Sequence, residues 1–299
     1  MKMRIYPLGT IAALLVSVFS AGPLLAEEPR HYTIDNTYFH QIQSKETGQK
    51  HELVVSLPYS YQSSPHKKYP VLYYMDAYWD TPLLSSIYGA LTYDNVAPEF
   101  IMVGLSYPGD NVNYGLERRR DLTPTDEGDA DGDSGGAPAF LAFLKQSVVP
   151  LIESSYRVDE SQRALSGSSL GGLFTLYAMY EEPAFFERYI AISPAAGWDK
   201  QYLAALDKRY AKAHKKLNAR LFLSYGTGEY PPFRKPIDQL QKQIESRHYK
   251  GLALRNYQMQ DLRHSSVKAE GYIHGLIWAW QDLAPKGPSG LEKEYLENQ

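Results

Sequence analysis

Arg163-Ala164-Leu165-Ser166-Gly167-Ser168-Ser169-Leu170-Gly171-Gly172-Leu173-Phe174 decides the fold, because Gly167-x-Ser169-x-Gly171 stands at a strand-to-helix boundary. A serine on so sharp a turn sits in a strained backbone conformation, and glycines flank it where a Cβ would collide with the neighbouring strand or helix. That is the pattern of a nucleophile elbow, which makes Ser169 the candidate nucleophile. The pattern alone is weak, since ordinary glycine and serine usage produces it by chance in about one chain of this length in ten. Its surroundings sharpen it. Upstream, Phe140, Phe143, Leu144, Val148, Leu151 and Ile152 recur at helical spacing; a short strand-like stretch follows, then the elbow, then an apolar run from Leu173 to Tyr180 that reads as a buried helix. The alternative is a glycine-rich turn with no chemistry.

Outward from the elbow, strand-like and helix-like runs alternate, which predicts a single α/β domain: a mainly parallel sheet covered by helices on both faces. Leu53 to Leu57 reads as an early antiparallel strand, and Val71 to Met75 and Phe100 to Leu105 as central strands buried on both sides. Ile190 to Ile192, Leu221 to Ser224 and Leu252 to Tyr257 supply later strands. Helices are expected near Leu83 to Leu91, Ala139 to Ser154, Leu173 to Tyr180, Lys200 to Ala213, Ile237 to Arg247 and Lys268 to Trp280. Asn111 to Pro138 is the one long stretch without a clear element, and such loops tend to carry function. Inside it, Asp129-Ala130-Asp131-Gly132-Asp133 fails as a calcium loop, because Phe140 or Pro138 stands where the bidentate glutamate belongs.

The 299 residues, 43% hydrophobic and 22% charged, suffice for a large core and exclude a disordered or fibrous chain. Residues 1–26 have the layout of a secretory signal peptide: Lys2 and Arg4, an apolar run from Ile11 to Phe19, then small residues leading to Ala26. The run is too short for a comfortable permanent span, so residues 27–299 are expected as a periplasmic or secreted protein without a membrane anchor. Loss of Lys2 and Arg4 leaves 29 basic against 34 acidic residues, which offers nucleic acid no general attraction. There are no cysteines, so a thiol nucleophile, a lipid-anchored cysteine and Cys-ligated metal are excluded. No cofactor or metal is expected.

A serine hydroxyl needs a base to remove its proton. In α/β-hydrolases the chain order is serine, acid, histidine, which leaves His214, His248, His264 and His274. His214 and His248 read as surface residues, and His274 falls inside the helix from Lys268. His264 stands just past a strand and before Ser265-Ser266, a pair able to cap that helix, and is the favoured base with His274 second. The acid that orients the imidazole is expected after the strand Leu221 to Ser224, in Tyr225-Gly226-Thr227-Gly228-Glu229. Glu229 is favoured, with Asp261 and Asp238 as alternatives. Two backbone N–H groups must face the developing oxyanion: Leu170 after the nucleophile, and Tyr78 in the Asp76-Ala77-Tyr78 turn after the strand ending at Met75. Asp76 precedes the nucleophile and reads as a turn-stabilising residue. The cluster Arg118-Arg119-Arg120 is either structural or a source of positive charge beside an anionic ligand.

The chain resembles the putative-esterase family of α/β-hydrolases, which includes siderophore trilactone esterases, feruloyl and acetyl-xylan esterases, S-formylglutathione hydrolases and mycolyltransferases. The resemblance spans nearly all of residues 27–299. It rests on Pro70-Val71-Leu72-Tyr73-Tyr74-Met75-Asp76, Arg120-Asp121-Leu122-Thr123-Pro124, Ser134-Gly135-Gly136-Ala137, the elbow, Ala191-Ile192-Ser193-Pro194 and His264-Ser265-Ser266-Val267. It implies an α/β-hydrolase fold, Ser169 as nucleophile, His264 as base, and Tyr78 and Leu170 as oxyanion-hole amides. Two positions depart from the pattern: many members have glycine in place of Ala77, and siderophore esterases usually have His and Tyr in place of Ser168 and Leu170. The expectation is a serine esterase acting on a small-molecule ester, either a catechol-type siderophore trilactone or a feruloyl or acetyl polysaccharide. A binding protein that keeps the fold without the chemistry is the reading from another class.

Overall fold

The computed structural model describes residues 33–128 and 133–299. The expected signal peptide lies outside the described residues, as does the Asp129 to Asp133 stretch apart from Asp133. Among the described residues no helix is long and apolar enough to cross a membrane.

Among the described residues, eight strands form one sheet in the order β1-β2-β4-β3-β5-β6-β7-β8. β1 (Thr37–Gln43) pairs antiparallel with β2 (Lys50–Ser56), and β2 pairs antiparallel with β4 (Ile101–Ser106). From β4 onward all pairs are parallel, through β3 (Tyr69–Tyr74), β5 (Val158–Ser168), β6 (Arg188–Ile192), β7 (Lys216–Gly226) and β8 (Lys250–Met259). The central strands read as unbroken apolar runs because both faces are covered. Successive side chains alternate between two cores. Val71, Tyr73, Tyr189, Ala191, Leu221 and Leu223 enter the larger one, which is closed by α3 (Ala137–Phe143), α4 (Val149–Ser155), α5 (Leu170–Glu181), α6 (Trp198–Ala213) and α7 (Pro231–Arg247). Leu72, Tyr74, Ile190, Ile192 and Phe222 enter the other, beneath α1 (Ala77–Tyr93) and α8 (Val267–Trp280). This is the α/β-hydrolase architecture that the elbow predicted.

Four details differ from expectation. The stretch Asn111 to Pro138 contains a helix, α2 (Tyr114–Leu122), capped by Asn113 accepting from the Leu116 N–H. Its apolar periodicity is missing because ion pairs hold it, among them Arg120 to Glu117 at 2.6 Å and to Asp121 at 2.7 Å. The expected helix from Ala139 to Ser154 is broken by a π-helical turn at Leu144–Val148. Pro150, the second residue of α4, has no N–H to give Gln146 and removes one α-type bond there. β1 lies on the sheet edge with a mostly exposed pattern, so it lacks the alternation by which β2 was legible. Helix α9 (Gly290–Glu297) buries no residue and follows α8, where no further helix was expected. Its capping box, Ser289 with Glu292, was the one readable signal.

Candidate active site

β5 ends at Ser168 and α5 begins at Leu170, which leaves Ser169 between them at φ 58°, ψ −117°. A non-glycine residue reaches that region only when its surroundings over-determine it. Here they do: the Ser169 N–H donates to the Ile192 carbonyl at 3.1 Å, while its own carbonyl accepts from Leu173 and Ala195, each at 2.9 Å. Gly167 is required by close approach, because a Cβ there would stand 2.4 Å from the Gly171 carbonyl carbon. The Ser169 residue is half-buried, and its hydroxyl makes no hydrogen bond among the described residues.

The second half of the site is built by two loops laced together. A Cβ on Gly226 would overlap the Leu262 carbonyl oxygen at 2.1 Å, so only glycine lets the turn after β7 lie against the loop after β8. Thr227 N–H donates to Met259 at 2.9 Å, Gly228 N–H to Leu262 at 3.1 Å, and Asp261 N–H to Thr227 Oγ1 at 2.8 Å. That lacing sets Glu229 Oε2 3.3 Å from His264 Nδ1. Glu229 is buried and accepts from Ser193 Oγ, 2.6 Å and 2.7 Å from its two oxygens, and from the Gly226 N–H at 2.9 Å. Burial pushes its carboxyl up, but the hydrogen bonds from His264, Ser193 and Gly226 outweigh it and hold the carboxyl below the usual glutamate value. With a carboxylate as acceptor, Nδ1 carries the proton and Nε2 is left with a lone pair. The His264 side chain is 44% exposed and stands edge-on to Phe233, ring centroids 4.5 Å apart.

The structure thus brings Glu229 and His264 together; no hydrogen bond joins Ser169 to either. What connects the halves is the turn after β6. Ile192 holds the Ser169 amide, and the next residue, Ser193, lies 3.4 Å from His264 Nδ1 as well as against Glu229. Ser193 is fully buried at φ 44°. Sequence reasoning assigned it nothing beyond its place in a motif. The signal that points to it is a serine immediately after a central parallel strand, where side chains reach the ligand edge of such sheets.

Leu170 is the first residue of α5 and Tyr78 the second of α1, so both amides belong to the unpaired first turn of a helix. Neither has a backbone acceptor among the described residues. The two helix starts adjoin: a Cβ on Gly171 would meet Met75 Cβ at 3.0 Å and Asp76 Oδ2 at 3.5 Å. Asp76 itself is left-handed, φ 60°, and its side chain makes no turn-capping bond. Instead it receives a bidentate pair from Arg118, 2.8 Å to each oxygen, and Arg118 also reaches the Ser168 carbonyl at 3.4 Å. The arginine cluster is therefore taken up within the protein. Arg120 is held by Asp121 and Glu117, while Arg119 lies 3.8 Å from Glu127 and 4.9 Å over the Trp198 ring.

The alternatives sit elsewhere. Asp238 binds Lys242 at 2.7 Å, Asp261 accepts from Gln260 at 2.8 Å, and His274 packs against Tyr257 with centroids 4.5 Å apart. Ser266 does not cap α8; its hydroxyl bridges the Arg263 N–H and carbonyl at 2.9 and 3.0 Å and tightens the turn carrying His264. Among the described residues no group of three or more His, Asp or Glu side chains is arranged to hold a metal ion.

An eight-stranded, mainly parallel sheet with a strained serine between β5 and α5 defines the class as an α/β-hydrolase. The family model described as Putative esterase matches residues 44–265, and the chain belongs to that family. The ferri-bacillibactin esterase BesA of Bacillus subtilis is 28% identical over 217 residues, covering 66% of this chain and 72% of that protein. The siderophore triacetylfusarinine C esterase of Aspergillus fumigatus is 33% identical over 160 residues, 52% of this chain and 54% of that one. The solved structure of the BES protein from Bacillus cereus superposes with a TM-score of 0.77 over 85% of this chain and 98% of its own, at 23% identity, a likeness of fold.

Proposed function

We propose that this chain is an exported serine esterase that hydrolyses siderophore ester bonds, with Ser169 as nucleophile, His264 as base and Glu229 as the acid orienting it. The observation that carries the reading is the buried Glu229 carboxylate bonded to His264 Nδ1 at the same end of the sheet as a strained serine. Ser169 Oγ attacks the ester carbonyl carbon as His264 Nε2 takes its proton; the oxyanion is met by the Leu170 and Tyr78 amides. The carbonyl re-forms, the C–O bond breaks, and the alcohol leaves with the proton from the imidazolium. Water, deprotonated by the same nitrogen, then cleaves the acyl-enzyme and restores the serine. Glu229 stabilises the imidazolium in each half and holds the tautomer.

The siderophore assignment is supported by the relatives named above and by the expected export. Against it, Ser168 and Leu170 replace the His and Tyr usual in siderophore esterases. The deciding measurement compares kcat/KM on ferric enterobactin, methyl ferulate, acetylated xylan and p-nitrophenyl acetate. A preference of at least tenfold, about 1.4 kcal/mol, for the trilactone is expected. A preference for the short acyl ester with no siderophore cleavage overturns the substrate, and no labelling of Ser169 by a fluorophosphonate overturns the chemistry in favour of a binding protein.

A further inference from the structure

Trp79 is 59% exposed, yet two neighbouring side chains lie against its ring. The ammonium of Lys268 lies 5.2 Å from its ring centroid, inside cation–π range, and is itself fixed by Asp80 Oδ1 at 2.7 Å. Asp80 is buried and also accepts from Tyr272 at 2.5 Å, so the lysine is tethered to the core. Trp79 also meets Tyr78, centroids 4.6 Å apart and planes at 50°. Tyr78 in turn stacks on Tyr114 at 3.6 Å and 11°. An isolated exposed aromatic needs no explanation, but this one is clamped, and a clamped ring has already lost the rotamer freedom that a ligand would otherwise have to remove.

Its position is as specific as its rigidity. Trp79 directly follows Tyr78, whose amide opens α1 beside the elbow helix, and Lys268 stands four residues past His264 on α8. The Trp79–Lys268 contact therefore joins the first turns of α1 and α8, helices that follow the strands β3 and β8 at the end of the sheet where Ser169 follows β5. A large flat apolar face at that place fits a flat group, since two rings in offset stacking gain beyond the area they bury and a flexible alkyl chain gains none of it. We infer that Trp79, braced by Lys268 and Tyr78, is a binding face for a planar aryl group carried on the ester substrate, and that it makes the enzyme prefer aryl-bearing to purely aliphatic esters. This rests on the esterase reading above and adds the residue that selects.

The test uses two methyl esters that differ only in the remote group, N-benzoylserine methyl ester and N-acetylserine methyl ester. The wild-type protein is expected to favour the benzoyl compound in kcat/KM, and Trp79→Ala to lower the benzoyl-to-acetyl ratio about tenfold, while Trp79→Phe, which keeps a flat ring, lowers it less. A ratio that falls less than threefold in Trp79→Ala overturns the proposal. Binding of N-benzoylserine to Ser169→Ala, by calorimetry, is measured alongside. If the wild-type protein hydrolyses neither ester, fluorophosphonate labelling of Ser169 decides the esterase reading separately, and the binding comparison decides the aryl face: an unchanged Kd on adding Trp79→Ala overturns it, and a weakening of threefold or more supports it.

Discussion

Ser193 Oγ lies within 2.7 Å of both carboxylate oxygens of Glu229, in a fully buried position that the backbone reaches only at φ 44°. A non-glycine residue in that conformation costs about 1 kcal/mol, and the hydroxyl offsets it by giving a buried charge a donor. Ser193 thus reaches His264 through Glu229, and in the proposed mechanism it is a positioning residue.

Ser193→Ala and Ser193→Gly should both lower kcat/KM, by about tenfold, through kcat rather than KM. Without the hydroxyl the carboxylate is more basic and holds the imidazolium more tightly, so the acid limb of the kcat/KM profile should move to higher pH. Because glycine accepts φ 44°, Ser193→Gly should melt above Ser193→Ala despite equal loss of activity. An unmoved acid limb in both variants would leave Ser193 a purely structural residue.

The strain at Ser169 predicts a trade of stability against chemistry. Ser169→Ala should lose several orders of magnitude in turnover with its fold intact. Ser169→Gly should be equally inactive but more stable than Ser169→Ala by about 1 kcal/mol, since glycine alone is at ease at φ 58°, ψ −117°. Urea denaturation checks it, and equal midpoints for the two variants would mean that the turn is not strained.

Removing Arg118 should cost more than removing its pair. Asp76 is 4% exposed, so Arg118→Met leaves an uncompensated buried carboxylate at a cost of about 3–5 kcal/mol. The double variant Arg118→Met with Asp76→Asn should recover a large part of that stability. Turnover should fall in the single variant as well, because Arg118 also reaches the Ser168 carbonyl beside Ser169, the proposed nucleophile. Additive losses in the double variant would refute the coupling.

His51 should make the fold acid-sensitive. It is 1% exposed, stacked on Phe143 and bonded through Nε2 to Thr47 Oγ1 at 2.8 Å; burial, aided by the Arg120 charge, pushes its imidazole down to about 4. In the unfolded chain the ring takes up its proton near pH 6.5, while the folded ring stays neutral to about 4. The unfolded state therefore binds the extra proton across that window, so stability falls as the pH drops from about 6.5 to 4 and this contribution stops changing below it. The loss attributable to His51 is about 3 kcal/mol at 1.36 kcal/mol per pH unit. Urea midpoints of the wild type and His51→Phe at pH 7 and 4.5 measure it; identical pH slopes would show that His51 does not titrate on unfolding.

The strands and the elbow were legible in the sequence because their signals are local. Val71 to Tyr74 and Leu221 to Leu223 are apolar on both faces wherever they sit, and Gly167 and Gly171 are demanded by the turn around Ser169 itself. Helix α2 and strand β1 were not legible, since Arg118 is satisfied by Asp76, a partner that only folding brings, and β1 lies at an edge with a mostly exposed pattern. For the site, the chain order and the glycine turn named His264 and Glu229 without settling between Glu229, Asp238 and Asp261. Only the tertiary structure separates them by environment: Gly226 lets two loops interlock, and Glu229 alone of the three lies against His264. Ser193 and Arg118 belong wholly to that second level. A buried carboxylate needs donors from elements distant in sequence, and no local pattern records which distant side chain will supply them.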